Sequence, residues 1–374
     1  MFSIFVSQLF NTIMKLTQAF LVVIMGFVAV GCSEPQPLII NYTDTDIEYS
    51  GRLDSTAGKV DMFWSGSTVK LNFKGRTVSA LLQDERGDNY YNVIIDQDSM
   101  YVLRPDTAKH YYVLASGLSN GNHCVELFKR TEWDRGKTSF YGFKLEGEPR
   151  ILAKDEEKKR KIEFYGNSIT AGYAVEDTTG KDRPDSTFTN HYLSYAAITA
   201  GHFDAQRHTI CKSGIGITIS WFPMIMPEIY DRVDPEDPES QWDFSLFSPD
   251  LVVINLFQND SWLVNMPERE EFKTNFGDSA PSDEELVAAY RDFVSEIRAH
   301  YPENDIICML GNMDATREGS KWPGLVQSAV DSLQDDKIYT YFQPFKETGG
   351  HPSVEEQQIM ADGLIQFIEN NIEW

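Results

Sequence analysis

The chain has 374 residues, 41% hydrophobic and 13% aromatic, with a formal net charge of −24 and a sequence pI near 4.6. That length favours two domains plus a leader, and the apolar content excludes a disordered chain. So acidic a surface repels nucleic-acid phosphates and anionic headgroups, which argues against a nucleic-acid partner, whereas a neutral polysaccharide meets no such penalty.

The first 32 residues read as a leader. Lys15 precedes an apolar run from Ala19 to Val30, too short for a comfortable membrane span and suited to a signal-peptide core. Met14 is an alternative start. The run ends in Ala29-Val30-Gly31-Cys32, which resembles a bacterial lipobox with Ala29 where Leu is commonest. The resemblance implies lipidation of Cys32 and a cell-envelope location on the periplasmic or cell-surface side, with membrane contact only through that anchor. An ordinary cleaved signal or an anchor helix is the alternative. Ser33 to Pro37 reads as a tether. With Cys32 lipidated, Cys124, Cys211 and Cys308 remain, an odd number at wide spacing that gives no disulfide framework and no metal site; Cys211 and Cys308 lie in apolar strand-like runs and read as small buried hydrophobes.

Residues 38–152 carry short alternating runs, Val69–Phe73, Val78–Leu82, Tyr91–Ile95 and Tyr111–Leu114. Turn-rich pieces such as Glu85–Asn89 and Ser119–Asn122 separate them, which predicts an all-β sandwich. A charged run from Lys154 to Lys161 marks the boundary. Residues 153–374 change rhythm. Strands are expected at Ile162–Tyr165, Thr209–Cys211, Leu251–Leu256, Ile306–Leu310 and Ile338–Phe342. Helices are expected at Asn190–Phe203, from Ser282 with Glu285 as a capping box, at Trp322–Leu333, and at Ser353–Ile368 with Glu356 closing a second box. The fold class is therefore α/β, a parallel sheet flanked by helices, preceded by a smaller all-β domain.

Four short segments fall at strand ends or just before a helix, where such sheets bind ligands: Gly166-Asn167-Ser168-Ile169-Thr170, Ser213-Gly214-Ile215-Gly216, Asn259-Asp260, and His351-Pro352-Ser353. Ester hydrolysis through an acyl-enzyme needs a hydroxyl nucleophile, a base near neutrality and donors for an oxyanion. Serine, histidine, a glycine N–H and an asparagine amide supply these.

Gly166-Asn167-Ser168-Ile169-Thr170 resembles the first block of the SGNH (GDSL-type) hydrolases, usually GDSIT, and Gly214, Asn259 and His351 match the later blocks in order. In the β half, Gly51-Arg52-Leu53, His123 with Val125-Glu126-Leu127, and Lys129-Arg130-Thr131-Glu132 resemble the N-terminal domain of carbohydrate esterase family two. The resemblance implies a jelly-roll-like domain on an SGNH α/β/α domain, and deacetylation of an acetylated polysaccharide without metal or organic cofactor. It implies Ser168 as nucleophile, His351 as base, and an oxyanion hole of the Ser168 and Gly214 N–H groups with the Asn259 side chain. Gly216 competes with Gly214 for that place.

Three positions depart from the family pattern. Asn167 replaces Asp. Phe257 stands where the third block has Gly, and its ring is expected to narrow the substrate site or wall the acyl group. Thr348 stands three residues before His351, where Asp is usual. A Ser–His dyad with the imidazole oriented by a backbone carbonyl is therefore expected, with Glu347 as an alternative third member. Trp221, Phe222 and Trp262 read equally as site lining or core, Trp221 and Trp262 being the candidate substrate contacts. His123, Glu132 and Asp260 read as structural. A catalytically silent glycan binder, or an esterase acting on a lipid, thioester or peptidoglycan acetyl group, are the competing functions. Oligomeric state is left open.

Overall fold

The structure is a computed structural model that describes residues 8–10, 14 and 36–373. Most of the leader, Cys32 and most of the tether lie outside the described residues. Among those described, no helix is long and apolar enough to cross a membrane. From Leu38 onward the chain forms one compact unit.

The first half is an antiparallel sandwich. Its strands are β1 (Leu38–Asn41), β2 (Ile47–Ser50), β3 (Leu53–Asp54), β4 (Val60–Met62), β5 (Thr68–Lys74), β6 (Thr77–Asp84), β7 (Tyr91–Ile95), β8 (Ser99–Leu103), β9 (His110–Ala115), β10 (Asn122–Lys129), β11 (Thr138–Glu146) and β12 (Arg150–Ile151). One sheet runs β3-β4-β11-β6-β9 with β1 on β11; the other runs β12-β5-β10-β7-β8 with β2 on β5. Alternation drives the packing: Val69, Leu71 and Phe73 of β5 are fully buried, while Thr68, Lys70, Asn72 and Lys74 between them are half-buried.

The second half holds a five-stranded parallel sheet of β13 (Arg160–Gly166), β14 (Ala205–Cys211), β15 (Leu251–Asn255), β16 (Asp305–Leu310) and β17 (Ile338–Phe342), in the order β14-β13-β15-β16-β17. Successive residues feed opposite faces. Ile162, Phe164, Leu251 and Val253 pack with the helices Tyr195–His202 and Val354–Asn371. Tyr165, Val252 and Ile254 pack with Asp283–His300 and Trp322–Leu333. Both expected capping boxes form, at Ser282 with Glu285 and at Ser353 with Glu356. The expected helix Asn190–Phe203 is instead a 3-10 turn at His191–Leu193 followed by Tyr195–His202, because the Ser194 hydroxyl caps the second piece through the Ala197 N–H at 3.3 Å. Strand order reverses at β13, between β14 and β15, which opens a crevice at the carboxyl ends of these strands.

The halves share one core. Phe63, Trp64 and Trp133 of the sandwich lie in the same buried cluster as Tyr165, Ile254 and Phe293. Arg52, 1% exposed, donates to the fully buried Glu163 of β13 at 2.9 Å and to the Tyr165 hydroxyl at 2.9 Å. Glu163 also accepts from the hydroxyls of Tyr165 at 2.8 Å and Tyr301 at 2.7 Å. Such a pair is tolerable in a core because most of its hydrogen-bonding capacity is met from several sides, the Arg52 Nε–H alone in the pair lacking a partner among the described residues.

Candidate active site

β13 ends at Gly166, where a Cβ would come within 2.0 Å of the Thr170 hydroxyl, so only glycine lets the chain turn directly into the helix Ser168–Ala171. Asn167 caps that helix, its side-chain oxygen accepting the Ile169 N–H at 3.0 Å. The cap leaves Ser168 as the first helical residue at the mouth of the crevice. Its Oγ lies 2.8 Å from His351 Nε2.

His351 is held by a carboxylate from a distant loop. Asp182 Oδ2 lies 2.9 Å from His351 Nδ1, and Asp182 Oδ1 accepts the His351 backbone N–H at 2.8 Å. The carboxylate requires Nδ1 to carry the proton, which leaves Nε2 free to accept from Ser168. Burial alone would raise the Asp182 carboxyl, but the hydrogen bond and charge of His351, with its backbone N–H and the nearby Lys346, outweigh this and hold it low. Asp182 sits in the left-handed region at φ +53°, on a loop gathered by Asp177, whose carboxylate accepts Thr179 N–H at 3.0 Å, Arg183 N–H at 2.9 Å and the Arg183 guanidinium at 2.9 Å. The Tyr173 ring meets the His351 ring edge-on at 4.9 Å.

Ser168, Asp182 and His351 line an open cleft of about 650 Å³ together with Gly214, Asn259, Trp221 and Trp262. Gly214, at φ +84°, follows β14, and its N–H has no acceptor among the described residues. Asn259 is fixed at both ends: Nδ2 donates to the Ile215 carbonyl at 2.8 Å and Oδ1 accepts the Trp221 Nε1–H at 3.0 Å. The indole can only donate, so the amide orientation is determined and the second Nδ2 hydrogen stays available. This constellation can activate a serine and stabilise an oxyanion. Among the described residues no cluster of three His, Cys, Asp or Glu is arranged to hold a metal ion.

Residues 49–154 match the family described as Carbohydrate esterase 2 N-terminal. Over 87% of its length the chain superposes on a solved family two carbohydrate esterase from Clostridium thermocellum in complex with cellohexaose, at 33% identity and a TM-score of 0.76, covering 98% of that chain. The chain belongs to carbohydrate esterase family two. It is 34% identical over 340 residues to the cellulase/esterase CelE of Acetivibrio thermocellus, but spans only 40% of that protein's length. It is 23% identical over 378 residues to an acetylxylan esterase / glucomannan deacetylase of Cellvibrio japonicus, spanning 96% of this chain and 100% of that protein.

Two expectations are corrected. The imidazole is oriented by the Asp182 carboxylate, not by a backbone carbonyl; Glu347 is exposed and does not line the cleft. Thr348, in the usual Asp position, instead bonds Glu356 and accepts Lys346 Nζ at 2.9 Å. Phe257 is not a substrate contact. It is fully buried, with its ring centroid 4.7 Å from Tyr290 and 5.0 Å from Trp322. Its φ of +79° lies in the left-handed region that favours glycine, which accounts for glycine in the SGNH third-block pattern, and here the side chain leaves on the core side.

Trp221 and Trp262 both stand in the cleft, Trp221 under the Arg269 guanidinium at 4.6 Å and Trp262 bonded to Asp314 at 3.1 Å. Phe222 instead packs against Trp133 at 6.5 Å. Gly216 is closed off, its N–H bonded to Ser220 Oγ at 3.0 Å, which leaves Gly214 as the glycine facing the cleft. Asp260, fully buried, accepts the N–H groups of Ile217 at 3.1 Å and Thr218 at 2.7 Å, holding the loop after Gly214. Cys211 and Cys308 are free and buried, and burial pushes both thiols up, Cys308 to about 12. Asp182 and Tyr173 were not visible to sequence reasoning. In the fold Gly350 makes room for this carboxylate, since a Cβ there would stand 2.9 Å from Asp182 Oδ1.

Proposed function

We propose that this family two esterase is a carbohydrate O-acetylesterase that releases acetate from acetylated polysaccharide by a serine acyl-enzyme route. The observation that carries the reading is the hydrogen-bonded chain Asp182–His351–Ser168 opening into a cleft that also holds Gly214 and Asn259. Ser168 Oγ attacks the acetyl carbonyl carbon while its proton passes to His351 Nε2. The carbonyl oxygen takes the negative charge facing the N–H groups of Ser168 and Gly214 and the free Asn259 hydrogen; one such donor is worth about 3 kcal/mol. Collapse breaks the bond to the sugar oxygen, which receives the proton from Nε2. Water, deprotonated by the same nitrogen, then attacks the carbonyl carbon of acetyl-Ser168; collapse breaks the bond to Ser168 Oγ, which takes the proton back from Nε2, and acetate leaves. Asp182 stays ionised and carries the imidazolium through both steps.

Trp221 and Trp262 offer flat faces suited to sugar rings, and the solved relative carries cellohexaose, which favours a polysaccharide over a lipid ester. The departures that would motivate a silent binder each have a structural account: Asn167 caps a helix, Phe257 fills the core, and Asp182 replaces the acid missing at Thr348. We further propose that residues 1–32 are a lipoprotein signal with Cys32 lipidated, that 33–37 are a tether, and that 38–152 and 153–374 form the sandwich and hydrolase domains of a cell-envelope enzyme. Acetate release from acetylated xylan and glucomannan by the chain from Ser33 onward, beside its Ser168→Ala variant, tests the activity. Release by the parent alone supports it; no turnover of any acetyl ester by the parent refutes it. Metabolic labelling with an alkyne fatty acid tests the anchor, which requires label that a Cys32→Ala variant does not take up.

A further inference from the structure

From the geometry behind the cleft, we infer that Glu132 of the sandwich and Lys212 are positioning residues for the oxyanion-binding peptide, so that the sandwich takes part in the reaction. The inference rests on the acyl-enzyme reading above.

The peptide at issue joins Ser213 to Gly214. It is trans, so its N–H points opposite to the Ser213 carbonyl, and whatever holds that carbonyl aims the N–H. Lys212 Nζ donates to the Ser213 carbonyl at 3.1 Å. On the other side of the same residue, Glu132 accepts the Ser213 hydroxyl at 2.7 Å through Oε1 and the Ser213 backbone N–H through Oε2. The peptide is therefore held directly at its carbonyl and, through the N–H and hydroxyl of Ser213, at the residue that begins it, while its Gly214 N–H is left without an acceptor among the described residues, in the cleft wall.

Both clamps are anchored from the sandwich side. Glu132 is 2% exposed, and its own carbonyl accepts Lys129 Nζ at 3.1 Å. Lys212 is 8% exposed, its ammonium sits 3.2 Å from Asp134 and 3.7 Å from Glu132, and these two carboxylates outweigh its burial and keep it protonated. A cation on the Ser213 carbonyl also polarises the peptide, making its N–H the stronger donor. Such an arrangement holds the donor before charge develops, which is what makes an oxyanion site effective. Glu132 thus does more than join the two halves.

The test is kcat and KM for acetyl ester hydrolysis by the parent, Glu132→Gln and Lys212→Met, with inhibition by phenylboronic acid, which forms a tetrahedral adduct on serine. A glutamine has one acceptor for two Ser213 donors, so the grip on the peptide is broken without a change of size. Each variant is expected to lose roughly ten- to hundredfold in kcat, with KM within about twofold and boronic acid inhibition weakened by the same factor as kcat. A merely structural role predicts loss of melting temperature with kcat of the folded fraction unchanged, and that result overturns the inference, as does a loss confined to KM. If Glu132→Gln does not fold, Lys212→Met decides by the same criteria. An active parent with unchanged variants refutes the clamp alone; an inactive parent refutes the acyl-enzyme reading and the clamp with it.

Discussion

Replacing Asp182 by asparagine probes the imidazole's orientation. The carboxylate has two oxygens in use, Oδ1 on the His351 backbone N–H at 2.8 Å and Oδ2 on Nδ1 at 2.9 Å. Asparagine keeps one acceptor. With its oxygen on the backbone N–H, its NH₂ faces Nδ1, the ring takes the Nε2–H tautomer and Ser168 loses its base. With the amide flipped, the NH₂ collides with the backbone N–H, leaving that donor unpaired at a cost of about 1–3 kcal/mol. In either orientation the imidazolium formed during attack loses a charge-assisted bond of about 1.5–3 kcal/mol. The side chains of His351 and Asp182 are 16% and 30% exposed, so solvent tempers both terms. A total near 4 kcal/mol corresponds to a fall of about 10³ in kcat. KM and the melting temperature should stay close to the parent values. Initial rates of acetate release across pH 5–9 measure this. A variant that keeps more than about a tenth of the parent kcat would sink the argument that the carboxylate selects the tautomer.

Three further outcomes follow from the same geometry. Gly350→Ala puts a Cβ 2.9 Å from Asp182 Oδ1 on a backbone at φ +72°; kcat should fall roughly tenfold or more, with about 1–2 kcal/mol of stability lost, read by kinetics and urea unfolding. Phe257→Gly relieves a left-handed φ worth about 1 kcal/mol but empties a ring-sized space costing about 3–5 kcal/mol, so the variant should be about 2–4 kcal/mol less stable with KM unchanged; a stabilised variant would contradict the packing account. His123 lies 2.8 Å from Asp96 and 3.1 Å from the Ser119 carbonyl, and though burial opposes it these raise its pKa above the usual 6.5. Its stabilisation is therefore complete below the unfolded value and disappears as pH rises through the higher folded value. The melting-temperature gap between parent and His123→Gln should be wider at pH 5.5 than at pH 8.5, and a gap independent of pH would count against that pairing.

Much of the fold was legible because buried parallel strands write themselves as apolar runs. Leu251–Asn255 and Ile338–Phe342 fall where the runs placed them, and Ser282 and Ser353 announce their helices through capping boxes. Ser168, Gly214, Asn259 and His351 were legible as well, since each sits just past a strand or just before a capped helix. Asp182 was not. Its loop has no periodicity, and its partner lies 169 residues away, so only the tertiary fold brings the two together. Phe257 misled for a related reason: proximity to a site motif says nothing about which side of the chain a ring leaves. That direction is set by the left-handed backbone, which sends the ring to Tyr290 and Trp322.

The shared core has a consequence for anyone who would recombine this enzyme. Carbohydrate-active proteins are commonly treated as beads that can be cut and rejoined at their linkers, and the charged run after Leu152 looks like such a seam. Cutting there would strand Arg52 without Glu163 and bare Phe63, Trp64 and Trp133 to water. The smallest portable piece is the whole unit from Leu38 onward, so a graft that carries the hydrolase half alone transplants the catalytic letters without the page on which they are written.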